Sequence, residues 1–188
     1  MSKNVRIIVF SAACIALACV TSMIKVFEFP TGGAITLCSM LFAALPGFFF
    51  GPVVGIISGI VYGVLQFILG PYVLTPVQVL LDYPLAFGAA GIAGFWHSQP
   101  HGLLKGYLAG CAGRWFFSFL SGWIFFGEYA WEGWNGAAYS AVYNIIYIGA
   151  EAIITVIIVS IPAVAKAISR VKQTALGGDA AQPRSAAQ

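Results

Sequence analysis

The sequence predicts an all-α membrane protein, a bundle of six transmembrane helices, and three observations lead to that prediction. Sixty per cent of the 188 residues are hydrophobic and 8% are charged, with a mean hydropathy of +0.92; a soluble domain carries about 25% charged residues. The apolar residues fall into six runs, most of them close to the roughly 20 residues that one crossing of a bilayer needs. Lysine and arginine gather where an even number of crossings would put them on one side of the membrane.

Breaking the chain at charges and at Gly/Pro clusters places helices over residues 5–24, 35–50, 52–69, 76–96, 103–126 and 139–164. The first run follows Lys3 and Arg6, is long for the apolar core of a signal peptide and has no small-residue cleavage site before Lys25, so it reads as a retained helix. Gly51-Pro52 ends the second helix and restarts the third, since proline is best accommodated in the first helical turn. Gly70-Pro71 opens the connection to the fourth helix, His97 to Gly102 the connection to the fifth, and Gly127 to Ala138 the connection to the sixth. Residues 1–174 form one transmembrane domain, and the tail 175–188, rich in Ala, Gly and Gln, reads as disordered.

Orientation follows from the basic residues: Lys3 and Arg6 before the first helix, Lys105 beside the fourth connection, and Lys166, Arg170 and Lys172 after the sixth. Both termini are therefore expected in the cytoplasm, and the loop with Glu128 and Glu132 outside. The net charge of +3 is too small and too scattered for nucleic-acid binding. Cys14, Cys19, Cys38 and Cys111 lie inside apolar stretches, without the paired spacing of a zinc site or the loop placement of a disulfide framework. No metal site, cofactor or catalytic constellation is expected. His97 and His101 fall on the opposite side from Asp82.

A charge at the centre of a membrane helix costs about 2.5–3.5 kcal/mol on insertion scales, so Asp82, Arg114 and Glu151 each need a partner or a function. Arg114 lies twelve residues inside Phe126 and Glu151 twelve residues inside Tyr139 on the next, antiparallel helix. At about 1.5 Å per residue both sit roughly 18 Å below the outer end, which suggests an ion pair between neighbouring helices. Asp82 lies one and a half turns into its helix, with no basic residue between Lys25 and Lys105. Two readings stand for it, a solvated or protonated carboxyl beside a helix start and the counter-ion of a cationic ligand.

The aromatic company favours the ligand. Tyr72 and Tyr83 flank Asp82 in sequence, Phe125 and Phe126 end the fifth helix, and Trp131, Trp134 and Tyr139 follow. Rings around one carboxylate suit a flat cation, although the two loop tryptophans fit an interfacial belt better. Ser118, Gly122 and Phe126 share one face of the fifth helix, and Tyr139 and Asn144 lie on neighbouring faces of the sixth. Tyr143 and Tyr147 continue a tyrosine stripe and read as packing residues with tied-off hydroxyls. Ala12 and Ala16 make a smooth strip on the first helix, against which either this chain's own helices or a partner could pack.

Four segments carry a family resemblance: FPTGGAITLCSM (29–40), YVLTPVQVLLDYPLAF (72–87), RWFFSFLSGWIFFG (114–127) and EYAWEGWNGAAYSAVYN (128–144). Together they resemble the thiamine-specific S component of energy-coupling-factor transporters. The resemblance implies a six-helix bundle in the plasma membrane with an outward-facing thiamine site and no hydrolytic activity. Asp82 would face the cationic vitamin, Tyr72, Tyr83, Phe126 and Tyr139 would supply aromatic walls, and Asn144 a hydrogen bond. Another vitamin or a thiamine precursor is the alternative ligand. Ser118 stands where the family usually has histidine, Phe126 where tryptophan is common, and Asp82 where glutamate is frequent. The implied partners are a transmembrane coupling subunit, docked on the Ala12–Ala16 strip, and two cytoplasmic ATPases; this chain has no phosphate-binding Gly-x4-Gly-Lys-Ser/Thr loop of its own.

Overall fold

The computed structural model describes residues 1–29 and 32–178. Among them the chain forms seven helices and one two-stranded antiparallel ribbon. Helix α1 (Lys3–Met23) is followed by β1 (Lys25–Glu28) and β2 (Ala34–Thr36), then α2 (Ser39–Phe50) and α3 (Pro52–Leu69). Helix α4 (Pro76–Trp96) is a composite of four helical pieces, and α5 (Gly102–Phe125), α6 (Gly136–Ser160) and α7 (Pro162–Leu176) complete the fold.

Local chemistry explains the boundaries. Ser2, Thr75 and Asn135 cap α1, α4 and α6 by accepting from the backbone N–H of Val5, Gln78 and Ala138. Pro52, Pro76 and Pro162 stand in the first turns of α3, α4 and α7, where no intrahelical donor is lost. Pro84 lies inside α4, and around it the backbone widens into a π turn over Leu81–Leu85 that carries Asp82 and Tyr83.

Helices α1, α3, α4 and α6 are each long and apolar enough to cross a membrane. Helix α2, at 12 residues, is shorter than a bilayer core. Helix α5 has the length, with 24 residues, but carries Lys105 and Arg114. Ile8, Val20, Val53, Ile57, Ile153 and Ile157 stand exposed on the outer faces of α1, α3 and α6, as lipid contact requires.

Close backbone approach builds the bundle. Gly55, Gly59 and Gly63 recur every four residues on α3, and a Cβ at any of them would run into the backbone of α4 at Gly91, Phe87 or Tyr83. This small-residue seam lets α3 hold the π turn of α4 in place.

Three expectations need correction. The sixth predicted helix does not run to residue 164: Ile161-Pro162 breaks it, and α7 is a separate helix bearing Lys166, Arg170 and Lys172. The tail is helical through Leu176, with Ala175 buried, and the rest of that expectation, residues 179–188, lies outside the described residues. The second helix begins at Ser39, not 35, because Ala34–Thr36 pairs with Lys25–Glu28.

Candidate ligand-binding site

Helices α4, α5 and α6 enclose a cavity of about 290 Å³, near the lower end of small-molecule sites, which run from about 300 Å³ upward. Gly32 and Gly33 of the ribbon segment, Gly70 and Tyr72 of the α3–α4 connection, and Tyr129 complete its wall. Asp82, Tyr83, Tyr72, Ser118, Gly122, Phe126, Tyr139 and Asn144 all line it.

The π turn aims Asp82 into this space. Its Oδ2 accepts a 2.6 Å hydrogen bond from Gln78 Nε2, while Gln78 Oε1 accepts from the Leu74 backbone N–H at 3.0 Å. Gln78 is only 1% exposed, so the amide is a fixed brace that orients the carboxylate from the preceding helical turn. Sequence reading passed Gln78 over, although its i,i+4 spacing to Asp82 was the available signal.

The aromatic wall is held by hydrogen bonds as well as packing. Tyr83 OH donates to Gly70 O and accepts from Tyr72 N, each at 3.0 Å, which pins the α3–α4 connection beside the cavity. The Tyr72 ring then lies 5.7 Å from Phe126, centroid to centroid, and Phe126 6.2 Å from Tyr129. Tyr139 stacks on Tyr143 at 5.5 Å. Trp131 meets Tyr139 edge-on, and neither it nor Trp134 lines the cavity.

Tyr143 and Tyr147 do line the cavity, beyond the packing role read from sequence, and their hydroxyls are indeed engaged. Tyr143 OH accepts from Gly33 N at 2.8 Å, and Tyr147 OH donates to Asn144 Oδ1 at 2.6 Å. Asn144 Nδ2 donates to Ser140 O at 2.8 Å and to Ser118 O at 3.3 Å, so this amide, 5% exposed, braces α5 against α6 from the cavity wall. A Cβ at Gly122 would collide with Ser140 Oγ; the glycine serves the α5–α6 approach in addition to lining the cavity.

Arg114 and Glu151 do not form the expected ion pair. The one ion pair among the described residues is Lys25–Glu28, in the ribbon. Arg114 lies on the cavity wall with its guanidinium 4.5 Å above the Phe87 ring and 6.0 Å from that of Tyr147. Glu151, 1% exposed, turns the other way and accepts from Thr36, Ser39 and Met40. Gly122 packs on Ser140 and Ser118 pairs with Asn144, a register that sets Arg114 opposite Ile148, and the two charges also point in different directions around their helix axes.

Ala12 and Ala16 are exposed on α1, whereas Ser11, Cys14 and Ala18 turn inward. The strip therefore faces away from the core of the described bundle.

A membrane-embedded helical protein with one small, ring-walled cavity built around a braced carboxylate belongs to the class of small-molecule binding proteins of the bilayer. The chain belongs to the thiamine transporter protein family (Thia_YuaJ), whose model matches residues 8–170. It is 29% identical over 170 residues to the thiamine transporter ThiT of Bacillus subtilis strain 168, covering 83% of this chain and 87% of that one. It is 31% identical over 104 residues to ThiT of Lacticaseibacillus paracasei, covering 46% of this chain and 52% of that one. The solved structure of ThiT from Listeria monocytogenes shares its fold, with a TM-score of 0.69 and 24% identity over 92% of this chain and 96% of that one.

Proposed function

We propose that the chain captures thiamine in the α4–α6 cavity as the substrate-binding subunit of an energy-coupling-factor transporter. The observation that carries this reading is the Gln78-braced Asp82 carboxylate facing a cavity of about 290 Å³ walled by Tyr72, Tyr83, Phe126 and Tyr139. Thiamine joins a flat aminopyrimidine to a cationic thiazolium ring. A carboxylate opposes its charge, and ring faces add cation–π and stacking attraction that strengthens as water is excluded. Arg114 also lines the cavity, its guanidinium over the faces of Phe87 and Tyr147, so one cavity holds both an acidic and a basic group.

The bundle crosses the membrane six times in this reading, with α7 on the cytoplasmic surface and both termini inside. Arg6 at the start of α1 reaches Gly177 at the end of α7, and Lys172 donates to His97 O in the α4–α5 connection. These contacts gather Arg6 and Lys172 at one end of the bundle, the arrangement that the positive-inside rule favours. The exposed Ala12–Ala16 strip docks the coupling subunit, and two ATPases bound to that subunit supply the energy.

Mass spectrometry of small molecules released from the denatured, purified protein is the direct test. Recovery of thiamine supports the reading; recovery of the aminopyrimidine alone, or tighter binding of that fragment in calorimetry, overturns it in favour of a precursor.

A further inference from the structure

Glu151 is a buried carboxylate with no cation paired to it among the described residues. Its Oε2 accepts from Thr36 Oγ1 at 2.8 Å and Thr36 N at 3.3 Å, and its Oε1 from Met40 N at 3.1 Å and Ser39 Oγ at 3.2 Å. Thr36 Oγ1 and Ser39 Oγ also lie 2.7 Å apart, so two hydroxyls and two backbone N–H groups form one network around the carboxyl. All four come from one short stretch, the end of β2 and the first turn of α2, while Glu151 itself stands in the middle of α6.

That stretch needs an external anchor. The residue before α2, Cys38, is in the left-handed region at φ 59° and supplies no side-chain cap. Glu151 takes over that task from another helix, placing its carboxyl oxygens at the start of α2 and satisfying the Met40 N–H.

The anchor is aligned with the cavity. Tyr143, Tyr147 and Glu151 recur every four residues and form one stripe on α6. The first two hold Gly33: its N–H donates to Tyr143 OH at 2.8 Å, and a Cβ there would lie 2.8 Å from both that hydroxyl and Tyr147 Cδ1. Gly33 is part of the cavity wall and Thr36 is three residues further on, so one stripe fixes both the cavity-facing residue and the base of the strand that carries it.

We infer that Glu151 is a positioning residue for ligand capture: by clamping Thr36, Ser39 and Met40 it holds Gly33 against the cavity and sets how fast ligand enters and leaves. The kinetic half of this inference rests on the thiamine reading above. The clamp itself does not.

Glu151→Gln tests it, because the amide keeps the shape but turns two acceptor sites into donors facing donors. Amide hydrogen exchange over residues 36–40 of the ligand-free full-length protein should accelerate at least roughly fivefold, the loss expected when a buried N–H is left without its acceptor. Stopped-flow tryptophan fluorescence should show thiamine association and dissociation rising together by a similar factor, with the equilibrium constant changed less than about threefold. A merely structural residue would lower the melting temperature and the folded fraction without moving the rate constants of molecules that remain folded. Unchanged exchange at residues 36–40 overturns the clamp; faster exchange with unaltered thiamine rates overturns the positioning role. Should wild-type protein fail to bind thiamine, the thiamine reading falls, and the exchange result alone decides the clamp. If Glu151→Gln does not fold, Thr36→Val and Thr36→Ser replace it: the valine variant should show the faster rates and the serine variant, which keeps the hydroxyl, should restore them. Identical rates in the two overturn the inference.

Discussion

Replacing Asp82 by Asn isolates the charge on which the thiamine reading depends. The carboxylate accepts one 2.6 Å hydrogen bond from Gln78 Nε2, and an asparagine oxygen can accept the same bond, so the brace survives the substitution. What disappears is the counter-charge for the thiazolium. Removing one partner of a desolvated charge pair costs about 2–5 kcal/mol. Asp82 is partly exposed in the ligand-free cavity, so the lower end applies. About 2 kcal/mol corresponds to roughly a thirtyfold loss of affinity.

Calorimetry of the purified protein measures this directly, and a neutral isostere of thiamine supplies the control. Wild type and Asp82→Asn should bind the neutral compound within about threefold of one another, because stacking against Tyr72, Tyr83, Phe126 and Tyr139 needs no counter-ion. Equal thiamine affinity of wild type and variant would refute the counter-ion role. An equal loss for thiamine and the neutral isostere would show instead that the substitution had damaged the cavity.

Three further outcomes follow from other contacts. Tyr83→Phe keeps the ring but loses the bonds to Gly70 O and Tyr72 N; at about 0.5–1.5 kcal/mol per net hydrogen bond, thiamine affinity measured by calorimetry should fall several-fold. Gly59→Val places a branched side chain against the Phe87 carbonyl across the α3–α4 seam and should lower stability by about 1–3 kcal/mol or more, read as an earlier thermal transition in detergent. Replacing the exposed Ala12 and Ala16 by Trp should leave thiamine binding to the isolated protein intact and abolish ATP-driven uptake in vesicles reconstituted with the coupling complex; uptake that survives would remove the strip as the docking surface.

What was legible in the sequence was mostly depth and polarity. Apolar runs located the long helices, Gly51-Pro52 and Gly70-Pro71 located breaks, and the cluster around Asp82 reached the cavity because all of it lies near one end of α4, α5 and α6. The ribbon was missed because Lys25–Glu28 and Ala34–Thr36 are too short for a period-2 pattern to emerge, and pairing between them is a property of the turn and the surroundings. The end of α6 was missed because residues 161–164 are apolar enough to continue a crossing, yet Pro162 follows an extended Ile161.

The direction around a helix axis is the harder quantity, and Arg114 and Glu151 show why. Twelve residues in from Phe126 and twelve in from Tyr139 fix the height of each charge along its own helix. Whether the two side chains meet depends on the register and the rotation of each helix, which are set by where its small residues allow neighbours to approach. Here Gly122 against Ser140, and Asn144 against the Ser118 carbonyl, rotate α5 and α6 so that their shared seam carries small and amide groups. Arg114 is thereby turned toward Phe87 on α4, and Glu151 toward the start of α2. The glycines that set this rotation were visible in the sequence as spacing. Read first as rotational constraints and only then as space for a ligand, they would have separated the two charges and given each its own task, one on the cavity wall and one beneath the strand that faces it.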